Sequence, residues 1–249
     1  MSPNDFRQVL LEHQRPTREM IVAPGDPGCE PITKISGIPW WPADVPRPTC
    51  NHGHAMSFMA QFLLSDVPPL ESHDNSLVSF HYCQQCAYEG NMPIGWNPKV
   101  GNTPGYDVSV CDLISEKQPD LLGIIAEVVI DPQSVTFRDS MDAPGYEDTM
   151  YSLDLHSIPE DYPQGADDFD ENIYPGIIHV AKRKIGGWPT WVQHPGLPEI
   201  QDQERLHFLA QLDWWLCNRA TWCSGGYAYL FLISSGTKIL RCELVLQTT

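Results

Sequence analysis

The sequence predicts an α+β fold that is rich in antiparallel strands and consists of two pseudosymmetric repeats in one compact unit. Three observations lead to this prediction. The chain has 249 residues, 42% of them apolar, so it is long enough for a substantial core. Its 23 prolines and 18 glycines favour turns and short strands over long helices. Finally, four sequence blocks recur in the same order in the two halves of the chain.

The repeated blocks suggest how the chain is divided. Residues 34–41 read K-I-S-G-I-P-W-W and residues 184–191 read K-I-G-G-W-P-T-W, which is an offset of 150 residues. Three further pairs follow: 58–61 with 208–211, 77–80 with 228–231, and 110–114 with 241–245. The predicted organisation is an N-terminal helix and lead-in (1–29), a first repeat with a Cys/His insertion (30–137), an acidic bridge (138–179) and a second repeat (180–249).

Local patterns account for the first elements. Residues Pro3–His13 predict a helix, because Phe6 and Leu10 share one apolar face. In each Gly-x-Pro-x-Trp block, Gly37 or Gly187 can adopt a positive φ and the next proline restricts the chain, which predicts a structural turn.

The two Phe-x-Ala-Gln blocks predict equivalent strands, although the second copy also fits a helical period. Aromatic enrichment and alternation favour the strand in both copies. Gln61 and Gln211 then lie at equivalent points, where we expect them to bind backbone groups rather than a ligand. A second helix is expected near residues 117–122.

These paired Lys-Ile-x-Gly-x-Pro-x-Trp and Phe-(Leu/Met)-Ala-Gln blocks resemble the YwqG-like family of bacterial proteins, a domain of unknown function. The resemblance covers about residues 30–249. It implies an α+β fold of two pseudosymmetric repeats and no established catalytic residues. Members often lie near contact-dependent and type VI secretion toxin genes, which implies an immunity role. The first half, with its cysteines, is also similar to the programmed-cell-death-two-like proteins of eukaryotes, which are associated with chaperoning a ribosomal protein.

Two short Cys/His groups predict a metal site. Cys50 precedes His52 and His54, and Cys83 and Cys86 form a Cys-x2-Cys half-site. Together they offer a Cys₃His set for a structural Zn²⁺, with Cys50, His54, Cys83 and Cys86 as the ligands. His54 has the easier ligand spacing, whereas His52 lies closest to the position of the second cysteine in similar first repeats of the family. Both histidines therefore remain candidates for the fourth ligand. The alternative is a degraded site with ordinary thiols.

An acidic bridge lies between the repeats. From Asp139 to Ala181 the chain has no Lys or Arg, yet it holds 11 of the 32 acids. Aromatic residues are interleaved with the acids, which favours a surface that binds a basic protein. A solvated linker and a Ca²⁺ loop are the alternatives. The predicted partner-binding residues are Glu147, Asp148, Glu160, Asp161, Tyr162, Asp167, Asp168, Phe169, Asp170 and Glu171.

Charge and missing motifs restrict the function. The net charge of −17 argues against non-specific binding to nucleic acid and against docking on an anionic membrane. The N-terminus lacks the basic-then-apolar layout of a signal peptide, so we expect a cytoplasmic protein. No phosphate loop, Gly-x-Ser-x-Gly elbow or His-Glu-x-x-His is present.

The combined prediction is a non-enzymatic, immunity-type binding protein that occludes a basic toxin, such as a secreted nuclease effector. A chaperone-like escort of a basic ribosomal protein is the alternative. A metal-dependent hydrolase is less favoured.

Overall fold

A computed structural model of the chain describes residues 3–43, 45–68, 70, 76–83, 85–86, 106–113, 131–151, 171, 173, 177, 183–213 and 226–247. Helix α1 (Pro3–Glu12) opens the chain, and a short helix α2 (Tyr146–Tyr151) follows the sixth strand. The strands are β1 (Arg15–Pro24), β2 (Lys34–Ile35), β3 (Ser57–Leu63), β4 (Ser76–Tyr82), β5 (Tyr106–Asp112), β6 (Gln133–Asp142), β7 (Lys184–Gly186), β8 (Arg205–Asp213), β9 (Tyr227–Ser235) and β10 (Lys238–Gln247).

All ten strands belong to one sheet, in the order β10-β9-β8-β7-β1-β6-β2-β3-β4-β5, and each pair is antiparallel. The two central strands pair along their whole length, from Arg15 opposite Asp142 to Pro24 opposite Gln133. On either side of this pair, four strands follow in matching order. The sheet therefore has an approximate twofold axis between β1 and β6.

The register of the strands repeats as well. The Lys-Ile pair of each block faces the Ala-Gln pair of the next strand, and the contacts are Lys34↔Gln61, Ile35↔Ala60, Lys184↔Gln211 and Ile185↔Ala210. A register shift recurs at Phe58/Ala60 and at Phe208/Ala210. These blocks are strands in both copies, as predicted. The offset of 150 residues is thus an offset between equivalent positions of the sheet.

The two halves exchange their first strands. β1 precedes the first set of blocks in the chain but pairs with β6 and with β7 of the second half. β6 precedes the second set but pairs with β1 and with β2 of the first half. Each half therefore contributes one strand to the hydrogen bonding of the other, which joins both into one unit.

One face of the sheet forms the main core. Met59, Phe62, Leu209 and Leu230 pack there with residues of both halves. The edge strands β5 and β10 lie close to each other, so the sheet curls around this core. Helix α1, predicted over Pro3–His13, packs Phe6 and Leu10 against Ile173. No helix among the described residues is long and apolar enough to cross a membrane.

The predicted α+β class is wrong. Of the described residues, 48% lie in strands and 13% in helices, so the protein is mainly an antiparallel β structure with helices at its periphery. The physical reason is the pairing of residues 15–24 with 133–142. This pairing turns part of the expected lead-in, together with the end of the first repeat and the start of the bridge, into the two central strands. The helix expected near residues 117–122 lies outside the described residues.

Candidate functional site

The first part of the candidate metal site is a tight turn around Cys50. The Cys50 N–H donates to the carbonyl of His54 at 2.9 Å, and the Gly53 N–H donates to the carbonyl of Cys50 at 2.8 Å. Gly53 has φ +81°, a conformation that side chains strongly disfavour, so the glycine allows the chain to fold back. Thr49 and Ala55 form a bridge that closes the base of the turn.

The turn aims backbone donors at the Cys50 sulfur. Burial raises the pKa of Cys50, but backbone N–H groups of His52 and His54, together with hydrogen bonds from Cys86 and Cys83, lower it overall. The backbone thus favours the thiolate form before any cation is bound, and the thiolate is the form that binds metals.

The second part is the Cys-x2-Cys group at the end of β4. The register places Ser57, at the start of β3, opposite Tyr82, at the end of β4. The chain that leaves β4 therefore meets the chain that enters β3, and Cys83 and Cys86 come to lie beside Cys50. The Cys86 N–H points at the Cys83 sulfur at 3.5 Å.

The structure brings the four predicted ligands together. One donor atom each of Cys50, His54, Cys83 and Cys86 lies within 4.8 Å of all the others. The Sγ atoms of Cys86 and Cys50 are 3.5 Å apart, and His54 Nδ1 is 3.8 Å from the Cys83 sulfur and 3.9 Å from the Cys86 sulfur. Tetrahedral bonds of about 2.3 Å to sulfur and about 2.0 Å to nitrogen place neighbouring ligand atoms about 3.5–3.8 Å apart. The cluster could therefore hold a metal ion.

The protonation of the thiols would depend on a bound cation. The three cysteines are buried and free of disulfides, and His54 is half-buried. Burial, with the neighbouring sulfurs of Cys83 and Cys50, raises the pKa of Cys86 to about 12. Three thiolates in this space repel one another, so a bound cation is what would keep all three ionised.

His52 also reaches the cluster, although from the outside. Its Nδ1 atom lies 3.3 Å from the Cys86 sulfur, and its ring centre is 5.9 Å from that of His54. The ring of His52 is exposed, whereas that of His54 is half-buried. Of the two histidines left open by the sequence, His54 is the one that contributes an atom to the four-residue cluster.

The repeat blocks themselves build the two tryptophan corners rather than a ligand site. Gln61 Oε1 accepts the Trp40 N–H at 2.9 Å, and Gln211 Oε1 accepts the equivalent Thr190 N–H at 2.7 Å. The prediction that both glutamines bind backbone groups is thereby confirmed. The glycine of each turn has a positive φ, +83° at Gly37 and +76° at Gly187, again as predicted.

A buried ion pair that the sequence analysis missed supports the second corner. Lys184 Nζ donates to Asp142 Oδ2 at 2.6 Å, and both side chains are completely buried. The same oxygen accepts the Trp188 N–H at 2.9 Å. Burial lowers the pKa of Lys184, whereas Asp142 and Asp148 act in the opposite direction. Asp142 lies in the acid-rich stretch, and nothing in the sequence pattern distinguishes it from the other acids there. Its burial follows from the pairing of the strands.

Asp148 does not lie on the exposed acidic surface for which it was predicted. It is 1% exposed, and its Oδ1 accepts the Trp191 Nε1–H at 2.8 Å. Burial raises the pKa of Asp148 to about 7, against the opposing effects of Trp191, Lys184 and Arg15. The aromatic corner covers this carboxylate, so it is unable to meet a partner in this structure.

The other predicted partner-binding residues divide into two groups. Glu147 retains 23% side-chain exposure, with its Oε2 3.3 Å from His194 Nδ1, and Glu171 is exposed. The following predicted residues lie outside the described part of the chain: Glu160, Asp161, Tyr162, Asp167, Asp168, Phe169 and Asp170.

A comparison with protein families relates the chain to a known family. A family model described as a domain of unknown function, DUF1963, matches residues 33–238, which include both tryptophan corners and all four residues of the metal cluster. No curated protein matches the chain.

Proposed function

The chain belongs to the DUF1963 family, a domain of unknown function, and we propose that it is a cytoplasmic binding protein that occludes a basic protein, most simply a nuclease toxin. The family match is consistent with the YwqG-like resemblance of the repeat blocks. We further propose that the Cys₃His cluster binds a structural zinc ion.

The observation that carries this proposal is the surplus of acid. Even if each of the 15 Lys and Arg residues paired with one carboxylate, 17 carboxylates would remain. Several cations are already committed to internal pairs: Arg18–Asp139, Arg138–Glu19, Arg183–Asp213, Lys184–Asp142 and Arg241 with Glu204 and Glu243. The excess of carboxylates over cations therefore favours a basic partner.

The acidic residues are concentrated in one segment of the sequence, between residues 139 and 181. Four of the 11 acids between residues 139 and 181 have partners within the chain, namely Asp139, Asp142, Glu147 and Asp148. The other seven lie between residues 154 and 171, in a stretch with no Lys or Arg, and of these seven the structure describes only Glu171. The sequence thus makes the acid-rich stretch that follows α2 the proposed interface.

A nuclease is a suitable partner because its substrate groove must attract phosphates and is therefore basic. An exposed ion pair contributes only about 0.2–1 kcal/mol, so no single carboxylate would decide the affinity. The field of many acids raises association rates by roughly 10–1000-fold at low salt. The acidic segment would act mainly by guiding encounter and by excluding nucleic acid from the groove.

The proposed zinc has a structural role. Four protein ligands complete a tetrahedral shell, and a catalytic zinc site keeps one position for water or substrate. The metal would connect the turn before β3 to the end of β4, where Met56 is the main apolar residue packed against the thiols. It would stabilise one end of the first half without taking part in chemistry.

Binding to a basic nuclease encoded beside this gene tests the proposal, and a locus that holds no such gene would count against it. We expect a 1:1 complex that abolishes nuclease activity and whose association rate falls steeply between 50 and 200 mM salt, as is typical of charge-steered pairs. Neutralising the bridge acids Glu160, Asp161, Asp167, Asp168 and Asp170 should reduce the association rate at least about tenfold.

The matched control removes the same number of charges elsewhere. Glu12, Glu30, Asp131, Glu199 and Asp202 are all exposed and lie outside the bridge. Their neutralisation should change the rate by no more than about threefold, since the distant charges are screened. Equal losses in both variants would show that only net charge matters. Inhibition that survives in the bridge variant would remove the bridge as the interface, and protection of a basic ribosomal protein from aggregation without nuclease inhibition would favour the escort function.

A further inference from the structure

The three cysteine sulfurs of the cluster receive hydrogen-bond donors in different ways. Cys50 accepts backbone N–H groups from His52 and His54. Cys83 faces the backbone N–H of Cys86 at 3.5 Å. Within the described residues, Cys86 receives no backbone donor, but its sulfur lies 3.3 Å from His52 Nδ1. The imidazole thus occupies the position that a backbone donor has at the other two sulfurs.

We propose that His52 is a positioning residue of the metal centre, which donates its Nδ1–H to the Cys86 thiolate while His54 binds the metal. This inference rests on the proposed metal site. Three thiolates and a neutral histidine around a divalent cation leave a net charge of −1 in a buried place. A donor to the Cys86 sulfur stabilises that charge and orients the ligand, as outer partners of metal ligands commonly do.

The geometry distinguishes the two histidines. His54 is half-buried and its Nδ1 is 3.8 and 3.9 Å from two sulfurs, near the separation of two ligands that share one ion. His52 is exposed, and its 3.3 Å contact to the Cys86 sulfur is shorter and is suitable for a direct N–H···S hydrogen bond. With Nδ1 protonated, His52 would face solvent with Nε2, which leaves the four-ligand shell intact.

The test uses the full chain and Co²⁺ as a spectroscopic probe for the site, with Zn²⁺ affinity measured by competition with a chelator. The wild type should show the intense visible bands of tetrahedral Co²⁺. His52→Ala should keep these bands, shift the sulfur-to-cobalt charge-transfer band to longer wavelength, and lose about 10–100-fold in Zn²⁺ affinity. His52→Asn should restore affinity to within about threefold, since its amide N–H can take the place of Nδ1–H.

Two control variants complete the design. His54→Ala removes a ligand, so it should change the visible d–d bands of Co²⁺ and lower Zn²⁺ affinity more than His52→Ala does. His194→Ala replaces an exposed histidine that contacts Glu147 instead of the cluster, and it should change nothing.

An unchanged band position and affinity in His52→Ala would overturn the inference. So would loss of the tetrahedral bands in His52→Ala but not in His54→Ala, because His52 would then be the ligand. A wild type that binds neither Co²⁺ nor Zn²⁺ would instead refute the metal site itself, so the two failures are distinguishable.

Discussion

Replacing Asp142 by Asn tests how the second tryptophan corner is held in place. The substitution keeps the shape of the side chain but removes its charge, so Lys184 would keep a completely buried ammonium group whose other observed acceptor is Thr190 Oγ1 at 3.0 Å. Breaking a buried pair in this way costs about 3–5 kcal/mol, because one charge is left uncompensated. Since a domain has a total stability of about 5–15 kcal/mol, the loss is large enough to measure easily.

A double-mutant cycle with Lys184→Met separates the pair from its surroundings. We expect Asp142→Asn and Lys184→Met each to lower the free energy of unfolding by about 3–5 kcal/mol in urea titrations. The double variant should lose at least about 2 kcal/mol less than the sum, because it leaves no unpaired charge. As a control, Glu19→Gln breaks the exposed pair with Arg138 and should cost less than about 1 kcal/mol. Additive losses, or a loss below about 1 kcal/mol in Asp142→Asn, would refute the role given to the pair.

Three further outcomes are expected. The pKa of Asp148 is raised to about 7 in the folded protein and is about 3.9 when unfolded, so stability should fall as pH rises from about 4 to about 7, by up to about 1.4 kcal/mol per pH unit. Asp148→Asn should flatten this slope in urea titrations, and parallel profiles would contradict it. Gly187→Ala should lower the free energy of unfolding by more than about 2 kcal/mol, since its Cβ would lie 2.6 Å from a carboxylate oxygen of Asp142. Gly236→Ala has open space around its Cβ and should cost about 1 kcal/mol for its positive φ alone. Equal shifts in melting temperature for the two variants would be inconsistent with this packing. Coexpressed fragments 1–125 and 126–249 should copurify as a 1:1 complex and be insoluble alone, because β1 and β6 pair across the two halves. A single fragment that is soluble and folded would argue against the exchange of first strands between the halves.

Local motifs were readable from the sequence because their geometry depends on few residues. The glycine and proline of each corner specify a turn wherever they occur, and Gln61 and Gln211 repeat at the same offset as the corners. Cys83 and Cys86 are near enough in the chain to converge on one point, so this half of the metal cluster could be predicted from the sequence, whereas its approach to Cys50 depends on the pairing of β3 with β4.

The central strands could not be recognised in the same way. β1 contains Pro16 and ends at Pro24, and it does not alternate cleanly between apolar and polar residues. Its pairing with β6 joins residues more than a hundred positions apart, which no local pattern encodes. For the same reason Asp142 was counted with the acids of the bridge and Asp148 was predicted to bind a partner, although contacts with Lys184 and Trp191 hold both carboxylates in buried positions.

Metal analysis of freshly purified, untagged protein tests the central structural claim most directly. We expect about one zinc ion per chain in the wild type and less than about 0.1 zinc ion per chain in Cys83→Ser. Circular dichroism should show that the sheet of Cys83→Ser stays folded, so that only the metal is lost. A wild type with fully reduced cysteines, no metal above trace level and no zinc uptake at micromolar concentration would contradict the assignment of Cys50, His54, Cys83 and Cys86 as a metal centre.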